Sequence, residues 1–270
     1  MPLSHIALLA IVQGLTEFLP VSSSGHLILV PKFLHFKDQG LAMDVALHVG
    51  TLGAVLVYFW RDVFKMIGGF FNLLRGRVEG GGRLALFLIL ATIPAVIFGT
   101  LVSAYGTVGL RSIVFIGWTT LGFGLLLFVA DKIGSLEKSM THMTAFRAFL
   151  IGLAQAVALL PGTSRSGACL TMARFLGFKR PDAARFAFLL SIPAIIAAAS
   201  HTAFKMYTSG AHFTLYSDAF YGMAIAFVVG LCTINFMMRF LAKSDMSPFV
   251  IYRVCLGGFL LALGYGWLRF

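Results

Sequence analysis

The feature that most constrains this chain is a series of long apolar segments. Six of them reach about 20 residues, the length that a helix needs to cross a bilayer, and they lie at roughly 41–60, 84–104, 112–130, 184–207, 216–239 and 248–268. Because 59% of the 270 residues are hydrophobic and only 11% are charged, a soluble fold would lack a polar surface. The sequence therefore predicts an all-α polytopic membrane protein with a single membrane domain over residues 1–270.

Two further apolar regions are interrupted by polar residues. Residues 3–36 contain Pro20 and the stretch Ser22–His26, and residues 146–178 contain the stretch Pro161–Gly167. Each region divides into two short helical pieces, and neither piece is long enough to span a bilayer comfortably. Irregular backbone is tolerated at membrane depth only where it is buried in protein or lines a wet cavity. We therefore expect two re-entrant helix–loop–helix pairs.

The two interrupted regions resemble each other at an offset of 142 residues. The identical pairs at this offset are Gln13/Gln155, Ser22/Ser164, Ser24/Ser166 and Gly25/Gly167. Three long spans follow each region, and an odd number of crossings turns the second half over in the membrane. The sequence thus predicts an inverted repeat of residues 1–130 and 146–268, each a re-entrant pair plus three spans, with the broken helices meeting near the midplane.

The distribution of basic residues indicates an orientation. A net charge of +11 can mark a nucleic-acid partner, but no basic segment interleaved with aromatic residues occurs, so we expect none. If residues 61–83 form a cytoplasmic loop, the loops on that side carry 13 Lys and Arg; the opposite side carries only Lys32, Lys37, Arg111, Lys205 and Arg269. The positive-inside rule favours this arrangement, in which the first re-entrant pair opens to the outer face.

Polar groups at membrane depth are costly and usually functional, which makes the first break informative. Gln13 and Glu17 are four residues apart and share a helix face. Glu17 is either a structural partner for a buried arginine, or a ligand for a divalent cation or a charge that orients a base. Oxygen ligands favour Mg²⁺ or Ca²⁺, and water and substrate phosphate would have to complete the coordination shell.

The stretch after Pro20 offers hydroxyls and an imidazole. A serine among Ser22, Ser23 and Ser24 can cap the second helical piece, whose free amides would favour an anion. Ser23 and His26 are three residues apart and could meet on one face as an activated nucleophile. Alternatively, His26 attacks directly, protonates a leaving oxygen, or is a hydrogen-bonded core residue without a role in chemistry.

The second break combines a turn with a cation. Gly162 permits a tight turn, Thr163 or Ser164 can cap the following helix, and Ser166 adds a further hydroxyl. Arg165 falls in the first helical turn, where a cation opposes the helix dipole unless an anion binds there. A guanidinium matches phosphate oxygens, although Arg165 could instead pair with Glu17 for packing. If the two breaks face each other, they form a phosphate-sized polar pocket suited to hydrolysis of a phosphorylated lipid.

These motifs carry a family resemblance. The stretches QGLTEFLPVSSSGHL (13–27) and PGTSRSG (161–167) resemble the bacterial undecaprenyl-diphosphate phosphatases, the bacitracin-resistance family. Stretches 44–62, 186–194 and 247–257 continue the resemblance in order. It implies a phosphoanhydride hydrolase of the bacterial inner membrane that acts on a polyprenyl diphosphate lipid, requires a divalent cation and recycles the lipid carrier for peptidoglycan synthesis. The resemblance also implies an inverted-repeat fold with a site open to the periplasmic face.

The resemblance assigns roles to individual positions. It implies a catalytic group of Glu17, Ser23, His26 and Arg165, with Glu17 as the metal ligand. The implied substrate-binding residues are Gln13, Ser22, Ser24, Gly162, Thr163, Ser164, Ser166 and Cys169. Cys169 stands where the family has threonine, which puts one secondary phosphate contact in doubt because a thiol is a weak donor.

Two alternatives complete the interpretation. A second membrane phosphatase family has a histidine at the position of Thr171, so that assignment is rejected. A flippase for a lipid phosphate could use the same inverted repeat, and phosphate release by pure protein would separate it from a phosphatase. Membrane lipids are expected partners, and the sequence leaves a homodimer open.

Overall fold

The protein was analysed as a computed structural model, which describes residues 2–35, 39–74, 80–105, 110, 112–208 and 217–268. The regular secondary structure within these ranges is helical, as the sequence predicts. Several basic residues that support the expected orientation lie outside the described residues, namely Lys37, Arg75, Arg77, Arg111 and Arg269.

Six helices in the described ranges are long and apolar enough to cross a membrane. They are α3 (Gly40–Tyr58), α5 (Gly81–Tyr105), α6 (Ile113–Ile133), α9 (Arg180–Thr208), α10 (Ser217–Leu241) and α11 (Ser247–Gly264). Each of them overlaps one of the six predicted spans, so a candidate transmembrane helix lies at every predicted position. Local signals set some of their ends, since the Ser112 hydroxyl accepts the amide of Phe115 at 3.1 Å where α6 begins.

Each interrupted region forms two short helices on either side of a break. The first region contains α1 (Leu3–Thr16) and α2 (Ser23–Phe33), and the second contains α7 (Ala145–Val157) and α8 (Arg165–Phe175). We name the intervening residues 17–22 the first break and residues 158–164 the second break. The division into short pieces is as the sequence predicts.

One helix was not expected. Residues 61–83 were interpreted as a cytoplasmic loop, but Trp60–Leu74 forms helix α4. Trp60, Phe64, Ile67 and Phe71 recur with a helical period and are all exposed on its surface. The opposite side packs on α5, where a Cβ on Gly69 would lie 2.1 Å from the amide nitrogen of Gly82.

The long helices pack closely, with α3 against α10 and α6 against α11. A Cβ on Gly50 would lie 2.3 Å from the Met223 carbonyl oxygen, so only glycine allows α3 and α10 to approach this far. The main core includes Phe18 in the first break and Phe188 on α9, whose ring centroids lie 5.4 Å apart. The first break is therefore anchored in the centre of the bundle.

A buried ion cluster fixes the far end of α8. The Asp131 carboxylate on α6 accepts the Arg174 guanidinium at 3.0 Å and that of Arg180 at 2.8 Å. It also accepts the amide of Met246, where α11 is about to begin, at 3.1 Å. Arg174 is fully buried, and it donates as well to the carbonyls of Gly134, Ser135 and Phe178. These bonds hold α6, α8, α9 and α11 in register below the second break.

Candidate active site

The first break turns the chain at Ser22. Helix α1 ends at Thr16, residues 17–21 form turns, and Ser22 adopts a left-handed backbone with φ of 75°. Its hydroxyl accepts the amide of Gly25 at 3.3 Å and lies 3.4 Å from the Ser24 hydroxyl. The expected serine cap of α2 is thus Ser22. Ser23 is the first residue of the helix.

The second break repeats this local geometry. Gly162 has a φ of +89°, as expected for a turn that needs glycine, and Ser164 has a φ of 72°. The Ser164 hydroxyl accepts the amide of Gly167 at 3.1 Å and lies 3.2 Å from the hydroxyl of Ser166. Ser164 is therefore the cap of α8, and Arg165 is the first residue of that helix. Thr163 is fully buried, and its hydroxyl has no partner among the described atoms.

Direct contacts join the two breaks. The Ser166 hydroxyl donates to the carbonyl of Leu19 in the first break at 3.0 Å. The Nη2 of Arg165 donates to the Glu17 Oε1 at 2.8 Å, so the guanidinium of one break pairs with the carboxylate of the other. The expectation that the two breaks face each other holds at these contacts.

Glu17 lies at the centre of the site and is 5% exposed. Its Oε2 accepts the Gln13 amide at 3.0 Å and the Ser23 hydroxyl at 2.7 Å. The His48 Nε2 lies 3.6 Å from the same oxygen. The predicted shared face of Gln13 and Glu17 is therefore present. The side-chain Oε1 of Gln13 is buried without a partner among the described atoms.

His26 is placed differently from one sequence expectation. Ser23 and His26 were expected to meet on one face, but the Ser23 hydroxyl bonds Glu17. The His26 Nδ1 lies 2.7 Å from the carbonyl oxygen of Ser22, and its Nε2 lies 2.6 Å from the hydroxyl of Tyr252. The three-residue spacing aligns the two side chains along α2, but the chain turn at Ser22 aims Ser23 back towards α1.

Arg253 on α11 is a residue that the sequence interpretation missed. Its side chain is fully buried and donates to the carbonyls of Pro20 at 3.2 Å and Gly162 at 3.1 Å. Two further bonds run to the carbonyls of Thr120 and Thr119 on α6. Pro20 and Gly162 are equivalent positions at the offset of 142, so one guanidinium binds both breaks at matching carbonyls. Arg253 is a charged residue inside the predicted span 248–268, and this position could have indicated a functional or structural role.

His48 and Tyr252 were also missed. Both residues lie inside apolar spans, and only the packing of α3 and α11 on α1 and α2 brings them to the breaks.

Cys169 and Thr171 lie on the buried part of α8, and the Thr171 hydroxyl donates to the Gly167 carbonyl at 2.7 Å. Thr171 is thus directed at its own helix.

The arrangement provides the elements of phosphoryl transfer in an apolar protein. Ser23 is a hydroxyl whose proton points at a carboxylate, His26 is an imidazole with a fixed ring, and Arg165 is a cation at a helix start. Among the described residues, the contact of Arg165 Nη1 is with the carbonyl of Ala187 at 3.5 Å, so this nitrogen keeps donors for an anion. Such a set suits charge neutralisation and positioning of a phosphate.

Comparison with known proteins agrees with this chemistry. Residues 6–259 match the family described as Bacitracin resistance protein BacA. The chain is 50% identical over 267 residues to a protein of Jannaschia sp. (strain CCS1) named undecaprenyl-diphosphatase, covering 98% of this chain and 100% of that protein. Proteins of the same name from Ruegeria sp. (strain TM1040) and Saccharophagus degradans are 48% and 45% identical, over 98% and 97% of this chain and 100% and 98% of their own lengths.

Proposed function

The chain belongs to the bacitracin resistance protein BacA family, and from this premise we propose that it is an integral membrane undecaprenyl-diphosphate phosphatase. It hydrolyses undecaprenyl diphosphate to undecaprenyl phosphate and inorganic phosphate, which recycles the lipid carrier for peptidoglycan synthesis and gives bacitracin resistance. The observation that carries the proposal is the contact of Glu17 with both Ser23 and Arg165. The names of the relatives do not favour the alternative of a lipid-phosphate flippase.

The diphosphate lies between Arg165 and the hydroxyls of the first break in this proposal. The free donors of Arg165 Nη1 bind a terminal phosphate oxygen, while Nη2 stays on Glu17. The exposed hydroxyl of Ser24, 3.4 Å from that of the Ser22 cap, is a further donor for the phosphate. The apolar surfaces of the long helices accept the isoprenyl tail, so the lipid never leaves the membrane.

Two nucleophiles fit the geometry. Ser23 can attack the terminal phosphorus while its proton passes to the Glu17 carboxylate, 2.7 Å away. Alternatively, the Nε2 of His26 attacks, since the Ser22 carbonyl holds the opposite ring nitrogen. In either case the undecaprenyl phosphate leaves, and water then releases the phosphate from the enzyme. Mass spectrometry of the trapped protein would find phosphate on Ser23 or on His26, and finding neither would favour direct attack by water.

The donor set fits a hard divalent cation that is shared with the substrate. The described residues contain no group of three or more His, Cys, Asp or Glu side chains able to hold a metal alone. The Gln13 side-chain Oε1 is buried without a partner among the described atoms, and the Nε2 of the same amide donates to the Glu17 carboxylate, so the two neighbouring side chains offer oxygen ligands. Mg²⁺ is typically bound by one or two protein oxygens plus substrate phosphates, and Ca²⁺ also takes oxygen ligands. When bound there, Mg²⁺ or Ca²⁺ would neutralise charge on the diphosphate.

An inverted repeat accounts for the matched breaks. Its support is the shared left-handed serine cap, the paired carbonyls on Arg253, and reciprocal packing of α1 on α10 and of α7 on α5. We place the protein in the bacterial inner membrane, with the breaks re-entrant and the site open to the periplasm. A single cysteine at Lys138, with the native cysteines removed, should react with an impermeant maleimide from the cytoplasmic side only.

Phosphate release from isoprenyl diphosphate by purified protein tests the activity. Ser23→Ala, His26→Ala and Arg165→Ala should each lower kcat by at least ~100-fold, the low end for loss of one catalytic group. Ser112→Ala is the matched control, because it removes a serine cap from α6 outside the site. No phosphate release by the wild-type protein would refute the phosphatase, and full activity of a variant would refute the role of that residue.

A further inference from the structure

We propose that Tyr252 is a positioning residue for the reaction and acts through His26; this inference rests on the proposed function. The Tyr252 hydroxyl lies 2.6 Å from the His26 Nε2, and the two rings stack with centroids 5.8 Å apart at an interplanar angle of 14°. Nothing in the proposed reaction so far uses this contact. Tyr252 is 43% exposed, so its position is not a consequence of deep burial in the core.

The hydrogen bonds determine which His26 nitrogen carries the proton. The Ser22 carbonyl oxygen can only accept, so the Nδ1 of a neutral His26 must donate to it across 2.7 Å. The Nε2 then holds the lone pair, and the Tyr252 hydroxyl donates to it. The Ser22 carbonyl therefore selects the neutral tautomer whose Nε2 can act as a nucleophile or a base, and the Tyr252 hydroxyl stabilises this tautomer by donating to Nε2.

The tyrosine also fixes the rotation of the imidazole. One hydrogen bond at Nδ1 leaves the ring free to swing about that contact, whereas the second bond at Nε2 and the parallel stacking remove this freedom. The backbone of Tyr252 is itself held, because the neighbouring Arg253 is bonded to carbonyls in both breaks. Two consecutive residues of helix α11 thus hold the first break and the start of α2. Arg253 binds the backbone carbonyl of Pro20, and Tyr252 binds the side chain of His26.

The arrangement has a consequence for turnover. The Nε2 lone pair is covered in the substrate-free protein, and the hydroxyl must move aside before that nitrogen can accept a proton or attack phosphorus. Tyr252 therefore contributes by delivering His26 in one orientation and not by binding the substrate. Its removal should lower kcat and leave KM almost unchanged.

The test uses Tyr252→Phe, which keeps the stacked ring and removes only the hydroxyl. We expect kcat for phosphate release to fall by about tenfold, the lower end for removing the outer partner of a functional histidine, with little change in KM. Tyr265→Phe is the matched control, since it removes a hydroxyl that contacts Trp118 at the other end of α11. That variant should retain wild-type kcat.

A second measurement does not depend on activity. Diethyl pyrocarbonate acylates a free imidazole nitrogen, so mass spectrometry of the peptide containing His26 should show severalfold faster modification in Tyr252→Phe than in the wild type. His142, outside the site, serves as the internal reference. Equal modification rates would refute the covering of Nε2 by Tyr252, and unchanged kcat in Tyr252→Phe would refute its role in positioning. An inactive wild-type protein would refute the proposed function instead, while the modification rates would still test the contact.

Discussion

The ion pair between Arg165 and Glu17 joins the two breaks, and its replacement can separate a packing role from a catalytic one. The carboxylate is 4% exposed as a side chain and the arginine 18%, so the pair is largely out of water. Arg165→Met keeps a long apolar side chain and removes the cation. We expect this variant to lose both stability and turnover, and a second change, Glu17→Gln, to restore only the stability.

The size of the stability loss follows from the partners that remain. Breaking a buried ion pair by removing one partner costs about 3–5 kcal/mol, because the other charge is left uncompensated. Glu17 would keep the Gln13 amide and the Ser23 hydroxyl, and His48 lies 3.6 Å away. We therefore expect the lower end, about 3 kcal/mol, which corresponds to a fall in Tm of about 6–12 °C for a chain of this size.

The rate should respond differently from the stability. Loss of one preorganised donor to a developing anion lowers kcat by about 10²–10³-fold. In the double variant Glu17→Gln/Arg165→Met both charges of the pair are removed and neither is left uncompensated, so Tm should return to near the wild-type value. Its turnover should remain at least as low as that of Arg165→Met.

Thermal unfolding in detergent and phosphate release from isoprenyl diphosphate measure the two effects on the same samples. Asp245→Asn is the control for stability, because it removes an exposed ion pair with Lys132 that should be worth under about 1 kcal/mol. A wild-type Tm for Arg165→Met would show that the ion pair is absent in the folded protein. Near-wild-type turnover of Arg165→Met with a lowered Tm would show that Arg165 stabilises the fold by pairing with Glu17 and has no catalytic role.

Three further predictions use the same two measurements. Thr119→Val removes the 2.6 Å bond to the Pro161 carbonyl and should cost about 1 kcal/mol or more in stability, read as a lower Tm. Hydrogen bonding to Lys132 lowers the pKa of Asp245 to about 2, so the small stabilisation from Asp245 is present above about pH 4 and lost as pH falls through about 2; the Tm difference between wild type and Asp245→Asn should vanish there. Gln13→Glu adds a carboxylate beside Glu17 and should lower the Mg²⁺ concentration needed for half-maximal phosphate release.

Local rules were sufficient for the breaks themselves. A serine before a predicted helical piece indicates a helix cap, although the spacing alone left open which residue caps each helix, and Ser22 and Ser164 are the caps. The shared face of Gln13 and Glu17 follows from helical spacing alone. Helix α4 was accessible to the same reasoning, because its exposed apolar residues follow a helical period.

Contacts between distant segments could not be predicted from the sequence. Arg253 binds Pro20, which is 233 residues away, and Tyr252 binds His26 across 226 residues. No pattern in the sequence indicates either contact, because both contacts depend on how α11 packs against α6 and the breaks. The pairing of Ser23 with Glu17 instead of His26 depends on the left-handed turn at Ser22, which a serine adopts only when the surrounding structure imposes it.

The charges at the breaks bear on whether a cation must accompany the substrate. Glu17 and Arg165 cancel, and the guanidinium of Arg253 is fully buried and donates to four backbone carbonyls. A diphosphate brings about two to three negative charges near neutral pH, more than these side chains neutralise. A divalent cation held by Glu17 and the unpaired oxygen of Gln13 would make up the difference. We therefore expect EDTA to lower phosphate release by at least about 100-fold and Mg²⁺ or Ca²⁺ to restore it. Full activity in EDTA would mean that the guanidinium and hydroxyl donors alone stabilise the transferring phosphate.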